Sequence, residues 1–306
     1  MTSGIDAKTT TQTTTPATVR PIPSADPPAA GLAKAATIKL RNLLLEEPSV
    51  PEAPDALDLP PIEGEIRLEA VTFGYDQNEP VLRDVNLTIA PGETFSLVGP
   101  TGAGKSTIAK LVTRFYDPIE GRVLIDGHDL RDVTEHSLRS QLGIVPQEGF
   151  LFSGTIADNI RFGRPEATRA EVEAAARAVG ADQVIAGLPD GYDTQVGERG
   201  ALLAAGERQL VAFARAWIAD PALLILDEAT SNLDAASESR ITDALQRLRS
   251  GRTTIIIAHR LSTIAQADQI AVVSDGRIVE AGTPAELRAR GGRFADLFHR
   301  WVAGAA

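Results

Sequence analysis

The chain contains no cysteine. Disulfides, thiolate metal sites and cysteine nucleophiles are therefore excluded, and the composition fits a protein kept in a reducing compartment. Nor does any stretch of the sequence approach the ~18 consecutive apolar residues that cross a bilayer as a helix, so no transmembrane segment is expected within the chain. Positive charge is in short supply: 30 Lys and Arg stand against 41 Asp and Glu, a net charge of −11, which argues against a nucleic-acid partner. The first 31 residues have almost no large apolar side chains and no apolar h-region; their threonine runs and scattered prolines read as a disordered tail, not as a secretory signal.

What is present begins with 43% hydrophobic residues in a chain of 306, enough for a sizeable core. Leu32 to Glu47 reads as a helix, and Pro48, Pro51, Pro54, Pro60 and Pro61 then impose an extended path. Residues 32–63 are thus expected to be a helix and linker, with the main domain spanning 64–306. Within that domain Ile66, Leu68, Val71 and Phe73 alternate as a strand does, and so do Val85, Leu87 and Ile89. Phe95–Val98, Ala222–Leu226, Thr253–Ile257 and Ile270–Val273 are short uninterrupted apolar runs of the kind found in buried parallel strands. Thr168 and Glu171 form a capping box that opens an alanine-rich helix to Ala178. Strands alternating with helices predict an α/β protein, a parallel sheet covered by helices.

Gly99-Pro100-Thr101-Gly102-Ala103-Gly104-Lys105-Ser106 matches GxxxxGK[ST], between the apolar run ending at Val98 and a helical stretch from Thr107 to Phe115. Glycines let the backbone wrap phosphates with N–H groups, Lys105 reaches the β- and γ-phosphates, and the Ser106 hydroxyl ligates Mg²⁺. Leu223–Leu226 then delivers Asp227 and Glu228 at a strand end: Asp227 to the Mg²⁺ shell, as the corresponding Asp serves in P-loop NTPases, and Glu228 to polarise the attacking water. A nucleoside triphosphate and Mg²⁺ are the cofactors these motifs call for.

Other residues narrow the class. Tyr75 follows the first strand, Gln147 follows Leu142–Pro146, Leu203-Ala204-Ala205-Gly206-Glu207 precedes Asp227 by about twenty residues, Ser231–Asp234 follows Glu228, and His259 closes the run from Thr253. With these in order, the chain from about Glu65 to Trp301 resembles the nucleotide-binding domain of an ATP-binding cassette (ABC) transporter. The resemblance implies a P-loop NTPase core with an antiparallel β subdomain and a helical signature subdomain. It also implies that the nucleotide is ATP, and with it residue roles: Tyr75 stacks on adenine; Thr107 lies with residues 99–106 around ATP; Gln147 contacts Mg²⁺ and senses the membrane domain; His259 contacts the γ-phosphate; Asp234 communicates across a dimer. Val196–Gly200 resembles the loop that touches intracellular loops in exporter-type cassettes, and Lys39–Pro51 the junction after a last transmembrane helix. Asp126, His128, Asp129 and Glu148 read as turn residues and receive no chemistry.

The resemblance further implies that Leu203–Glu207 is the signature, usually Leu-Ser-Gly-Gly-Gln, which closes on ATP held by a second cassette from the same or a different chain. Ala204 replaces the serine here. The expected function is an ATPase at the cytoplasmic face of a membrane, peripheral to a transmembrane exporter domain or subunit. A soluble ABC ATPase acting on DNA or ribosomes is the alternative, disfavoured by acidic charge and the lack of long insertions. A weakly catalytic ATP-binding partner is a third reading, prompted by Ala204 and opposed by Glu228 and His259.

Overall fold

The structure, a computed structural model, describes Lys34, Thr37 and Arg41 and residues 50–76, 79–147, 149–227, 235–258 and 261–304. It divides into two units, Met1–Pro48 and Ser49–Ala306. In the first unit Lys34, Thr37 and Arg41 are helical. The remainder of the helix expected over Leu32–Glu47, and the tail 1–31, lie outside the described residues.

Two sheets organise the second unit. Strands β1 (Ile66–Phe73), β2 (Leu82–Ile89), β4 (Glu120–Ile125) and β5 (His128–Asp129) pair antiparallel in the order β2-β1-β4-β5. The central sheet contains β3 (Thr94–Val98), β6 (Leu142–Val145), β7 (Leu223–Asp227), β8 (Thr253–Ile257), β9 (Gln269–Ser274) and β10 (Arg277–Gly282). Its order is β10-β9-β3-β8-β7-β6, parallel throughout except for β10 at one edge.

The uninterrupted apolar runs are explained by burial on both faces. Successive strand residues point to opposite sides. Leu223, Ile225, Ile255 and Ile257 join the core shared with the antiparallel sheet, whereas Leu224, Leu226 and Ile256 join the core shared with the helices. Helix α1 (Lys105–Val112) packs in the first core through Ile108 and Leu111. Helices α2 (Glu135–Arg139), α3 (Ile156–Arg161) and α4 (Arg169–Val179) follow in the chain. Beyond α5 (Asp182–Ala186) comes α6 (Ala205–Ile218), whose Leu210, Phe213 and Ala214 fill the second core together with Val172 and Ala176 of α4. The capping box forms as expected: Glu171 accepts from the Thr168 N–H at 2.8 Å, and Thr168 Oγ1 accepts from the Glu171 N–H at 3.4 Å.

Residues 51–65 are fastened along this body. Leu57 bridges Val133 in parallel, and Gln141 holds both the Pro60 carbonyl and the Ile62 N–H. The Asp126 carboxylate accepts from three successive backbone N–H groups, Glu63 at 2.6 Å, Gly64 at 3.1 Å and Glu65 at 2.7 Å. Arg114, just past the end of α1 and 4% exposed, donates to the carbonyls of Pro51, Arg131 and Val133 and pairs with Asp117. Gly64 has φ +98°, and a Cβ there would lie 2.5 Å from Thr253 Oγ1, so only glycine lets the strap pass this close to β8. The strap is therefore tied, through Arg114, to the loop that follows α1.

Candidate functional site

Strand β3 is buried at every position and ends where the glycine-rich loop begins. Gly99 has φ +146°, and an added Cβ would fall 2.1 Å from the Val273 carbonyl oxygen of β9. Gly104 caps α1 with φ +109°, and a Cβ there would meet Leu82 at 2.6 Å. The loop is thus wedged between β9 and β2 in a shape open only to glycine. At its end Lys105 is 5% exposed and donates to the carbonyls of Gly99 and Pro100, both at 2.9 Å. Burial lowers the Lys105 pKa, and the Asp227 carboxylate acts in the opposite direction. Thr101, Gly102 and Ser106 are exposed, Pro100 on the loop is exposed, and Ala103 and Thr107 are buried. A helix start, a bent backbone and a desolvated ammonium together make a receptor for a polyanion.

The strand order lines up the other groups. Reading along the C-terminal edge from β3, the next strands are β8, β7 and β6. Asp227 ends β7 in register with Ile257 of β8, and Gln147 follows β6, whose Val145 is in register with Leu226. Lys105, Asp227 and Gln147 therefore come from one edge of one sheet, where open α/β sheets bind ligands. Glu228, Asp234 and His259 lie outside the described residues, as does Glu148. Among the described residues no group of three or more His, Asp or Glu could hold a metal alone. A set limited to one carboxylate, one hydroxyl and one amide suits Mg²⁺, which takes few protein ligands and completes its shell with water and phosphate oxygens.

Tyr75 is 52% exposed and sits edge-on to Phe73 and Tyr116, with ring centres 5.2 Å away in both cases. Its hydroxyl lies 3.2 Å from Thr107 Oγ1 of α1. This aromatic cluster abuts the glycine-rich loop's own helix and offers a flat surface to a planar ring.

At the start of α6, Leu203 is buried and Ala204 takes the extended N-cap conformation, φ −65° and ψ 157°. No side chain caps the helix, because the alanine methyl has no acceptor. Half of a capping box survives: Glu207 turns back and accepts from the Ala204 N–H at 2.8 Å. Ala204 and Ala205 are exposed and Gly206 is buried, so the helix start presents bare backbone.

Sequence reading missed a neighbouring surface. The loop after Gln147 is zipped to the Val196–Gly200 loop by a Thr155–Gln195 bridge and by Val196 N–H donating to the Gly154 carbonyl at 3.0 Å. Beside this seam Phe150, Phe152 and Phe162 are exposed at 43%, 40% and 60%. Phe152 lies 5.1 Å from Phe150 and 4.3 Å from Phe162 between ring centres. The Arg215 guanidinium lies 5.4 Å from the Phe152 ring and donates to the carbonyls of Phe150 and Asn159. Burial lowers its pKa to about 10, still well above neutrality, so it remains a cation. The Phe-Leu-Phe spacing of 150–152 was the available signal; alone it reads as an ordinary apolar turn.

Comparison with known proteins gives a consistent match. Residues 82–231 match the family model described as ABC transporter. The chain is 50% identical over 263 residues to the uncharacterized ABC transporter ATP-binding protein YknV of Bacillus subtilis, covering 86% of this chain and 44% of that protein. It is 51% identical over 257 residues to ATP-binding cassette sub-family B member 6 of Homo sapiens, covering 84% of this chain and 30% of that protein. Among solved structures, a bacterial Atm1-family ABC exporter with ATP bound superposes with a TM-score of 0.81 at 46% identity, covering 89% of this chain and 47% of that one. The chain thus spans less than half the length of these relatives.

Proposed function

Because this chain belongs to the ATP-binding domains of the ABC transporter family, we propose that it is the ATPase of a membrane exporter, working as one of two cassettes beneath a transmembrane domain or subunit. The observation that carries this reading is the single sheet edge from which Lys105, Asp227 and Gln147 emerge beside the wedged glycine loop. In this reading the loop 99–107 holds the phosphates and Tyr75 holds the base. Ser106, Asp227 and Gln147 would hold Mg²⁺, which when bound neutralises phosphate charge. Glu228 orients and deprotonates water, His259 contacts the γ-phosphate, and Asp234 faces the second cassette.

No helix among the described residues is long and apolar enough to cross a membrane. We place the working position at the cytoplasmic face, with the contact to the membrane domain at Phe150, Phe152 and Phe162. A contiguous exposed aromatic patch beside Gln147 is the kind of surface a partner covers. Residues 32–63 form the junction in this reading, and Arg114 and Asp126 hold its described part at Pro51 and Glu63. A Phe152→Asp, Phe162→Asp variant is expected to keep ATP affinity within about twofold while losing association with the membrane domain, a burial worth several kcal/mol for two aromatic side chains. Co-purification from detergent-solubilised membranes, read beside ATP titration, checks this. Undiminished association refutes the docking assignment.

Ala204 bears on the pairing. The signature of this chain faces ATP on its partner, and a missing hydrogen bond to a charged group costs roughly 1.5–3 kcal/mol. If the chain pairs with itself, Ala204→Ser is expected to raise ATP turnover severalfold, because both sites gain the hydroxyl. If it pairs with a different cassette that lacks the equivalent of Glu228, the change is expected to do little, since that site remains limited by the partner. Steady-state ATPase rates of the two forms, alone and with the co-purified partner, separate the cases.

A further inference from the structure

Tyr75 is held by more than its aromatic neighbours. Lys110, on the exposed face of α1, donates from Nζ to Tyr75 Oη at 3.3 Å. The ammonium lies 5.1 Å from the ring centre, nearer the phenol oxygen than the middle of the ring. An ammonium has donors only; the phenol oxygen therefore accepts from Lys110, and it shares a second hydrogen bond with Thr107 Oγ1, 3.2 Å away, in which either hydroxyl can donate. Thr107 and Lys110 lie three residues apart on α1 and so share a face. Both ends of the relay thus belong to the helix that starts at Lys105. Lys110 is five residues past Lys105, about 7.5 Å along the helix axis, which sets it apart from the phosphate loop. It also lies 5.9 Å from the Tyr116 ring, at the junction of the two tyrosines.

We propose that Lys110 is a positioning residue for the nucleotide base: by gripping the Tyr75 hydroxyl it fixes the stacking ring on α1, and it contributes to affinity through the base and not through the phosphates. The proposal rests on the reading of Tyr75 as the base-stacking residue. A ring that half faces solvent would otherwise lose rotamer freedom on binding; the Lys110–Tyr75–Thr107 contacts remove that freedom beforehand.

The test measures binding of ATP and of inorganic tripolyphosphate, both with Mg²⁺, to the full chain and to Lys110→Met, Lys110→Arg, Tyr75→Phe, Tyr75→Ala and the Lys110→Met, Tyr75→Phe double variant. Lys110→Met is expected to weaken ATP three- to tenfold and leave tripolyphosphate unchanged, and Lys110→Arg to restore most of the loss. Tyr75→Phe, which removes only the hydroxyl, is expected to match Lys110→Met, and the double variant to be no worse than either single one. Equal losses for ATP and tripolyphosphate in Lys110→Met overturn the proposal in favour of a phosphate contact. Additive losses in the double variant, or full ATP affinity in Lys110→Met while Tyr75→Ala is weakened, overturn it as well. Full ATP affinity in Tyr75→Ala instead removes the base-stacking reading itself.

Discussion

Lys105→Ala is expected to reduce Mg-ATP affinity by two orders of magnitude or more while the protein stays folded. Lys105 is buried at the start of α1 and at present satisfies two loop carbonyls at 2.9 Å. Exchanging those neutral acceptors for phosphate oxygens turns two bonds charged only at the donor into bonds between full charges. At roughly 1.5–3 kcal/mol for each hydrogen bond to a charged group, two such bonds amount to a hundredfold or more in affinity. The fold behaves differently. Burial disfavours the charged amine here, as its lowered pKa records, so removing the charge relieves a desolvation cost. Gly99 and Gly104 keep the loop wedged between β9 and β2 whether or not the amine is present. Titration calorimetry beside a thermal melt checks both halves. Lost binding together with a collapsed melting transition would assign Lys105 to the fold instead, and unchanged affinity would remove it from the nucleotide site.

The sequence exposed some of this architecture and concealed the rest for identifiable reasons. The runs in β3, β7, β8 and β9 were legible because a sheet buried on both faces leaves no polar alternation. The glycine loop was legible because its backbone can be built from few residue types. Strand β10 escaped notice: it is an edge strand whose Arg277 and Glu280 break the apolar pattern, and pairing with β9 supplies what propensity does not. Its prolines mark the strap as a linker, yet its hold on the body comes from Asp126 and Arg114, dozens of residues away. A turn aspartate that receives three backbone N–H groups has no local signature. The same holds for Lys110 and Arg215, whose partners lie on other elements. Charged side chains on helices usually face solvent, and only the tertiary neighbours reveal that these two do not do so freely.

Glu228→Gln is expected to leave ATP binding within about twofold of the parent and to slow hydrolysis roughly a hundred- to ten-thousand-fold, the range that a positioned general base contributes. The residue follows Asp227, which β7 delivers between β6 and β8. It lies outside the described residues; its position directly after that strand end and the chemistry of a carboxylate carry the expectation. Glutamine has nearly the shape of glutamate, still orients water through its amide oxygen, and cannot take the proton. Binding therefore survives where turnover fails, and ATP-bound cassettes accumulate as a long-lived pair visible by sedimentation with ATP and absent with ADP. The size of the loss also shows whether a partner brings a second competent glutamate. In a pair of identical chains both sites stall together. In a pair with a cassette that lacks its own glutamate, Glu228 is the sole catalytic carboxylate, and one substitution again removes all turnover. A mixed pair that retains about half the parent rate has a second competent glutamate on the partner and refutes the asymmetric reading of Ala204. Parent-level turnover in the isolated variant refutes the role of Glu228 altogether.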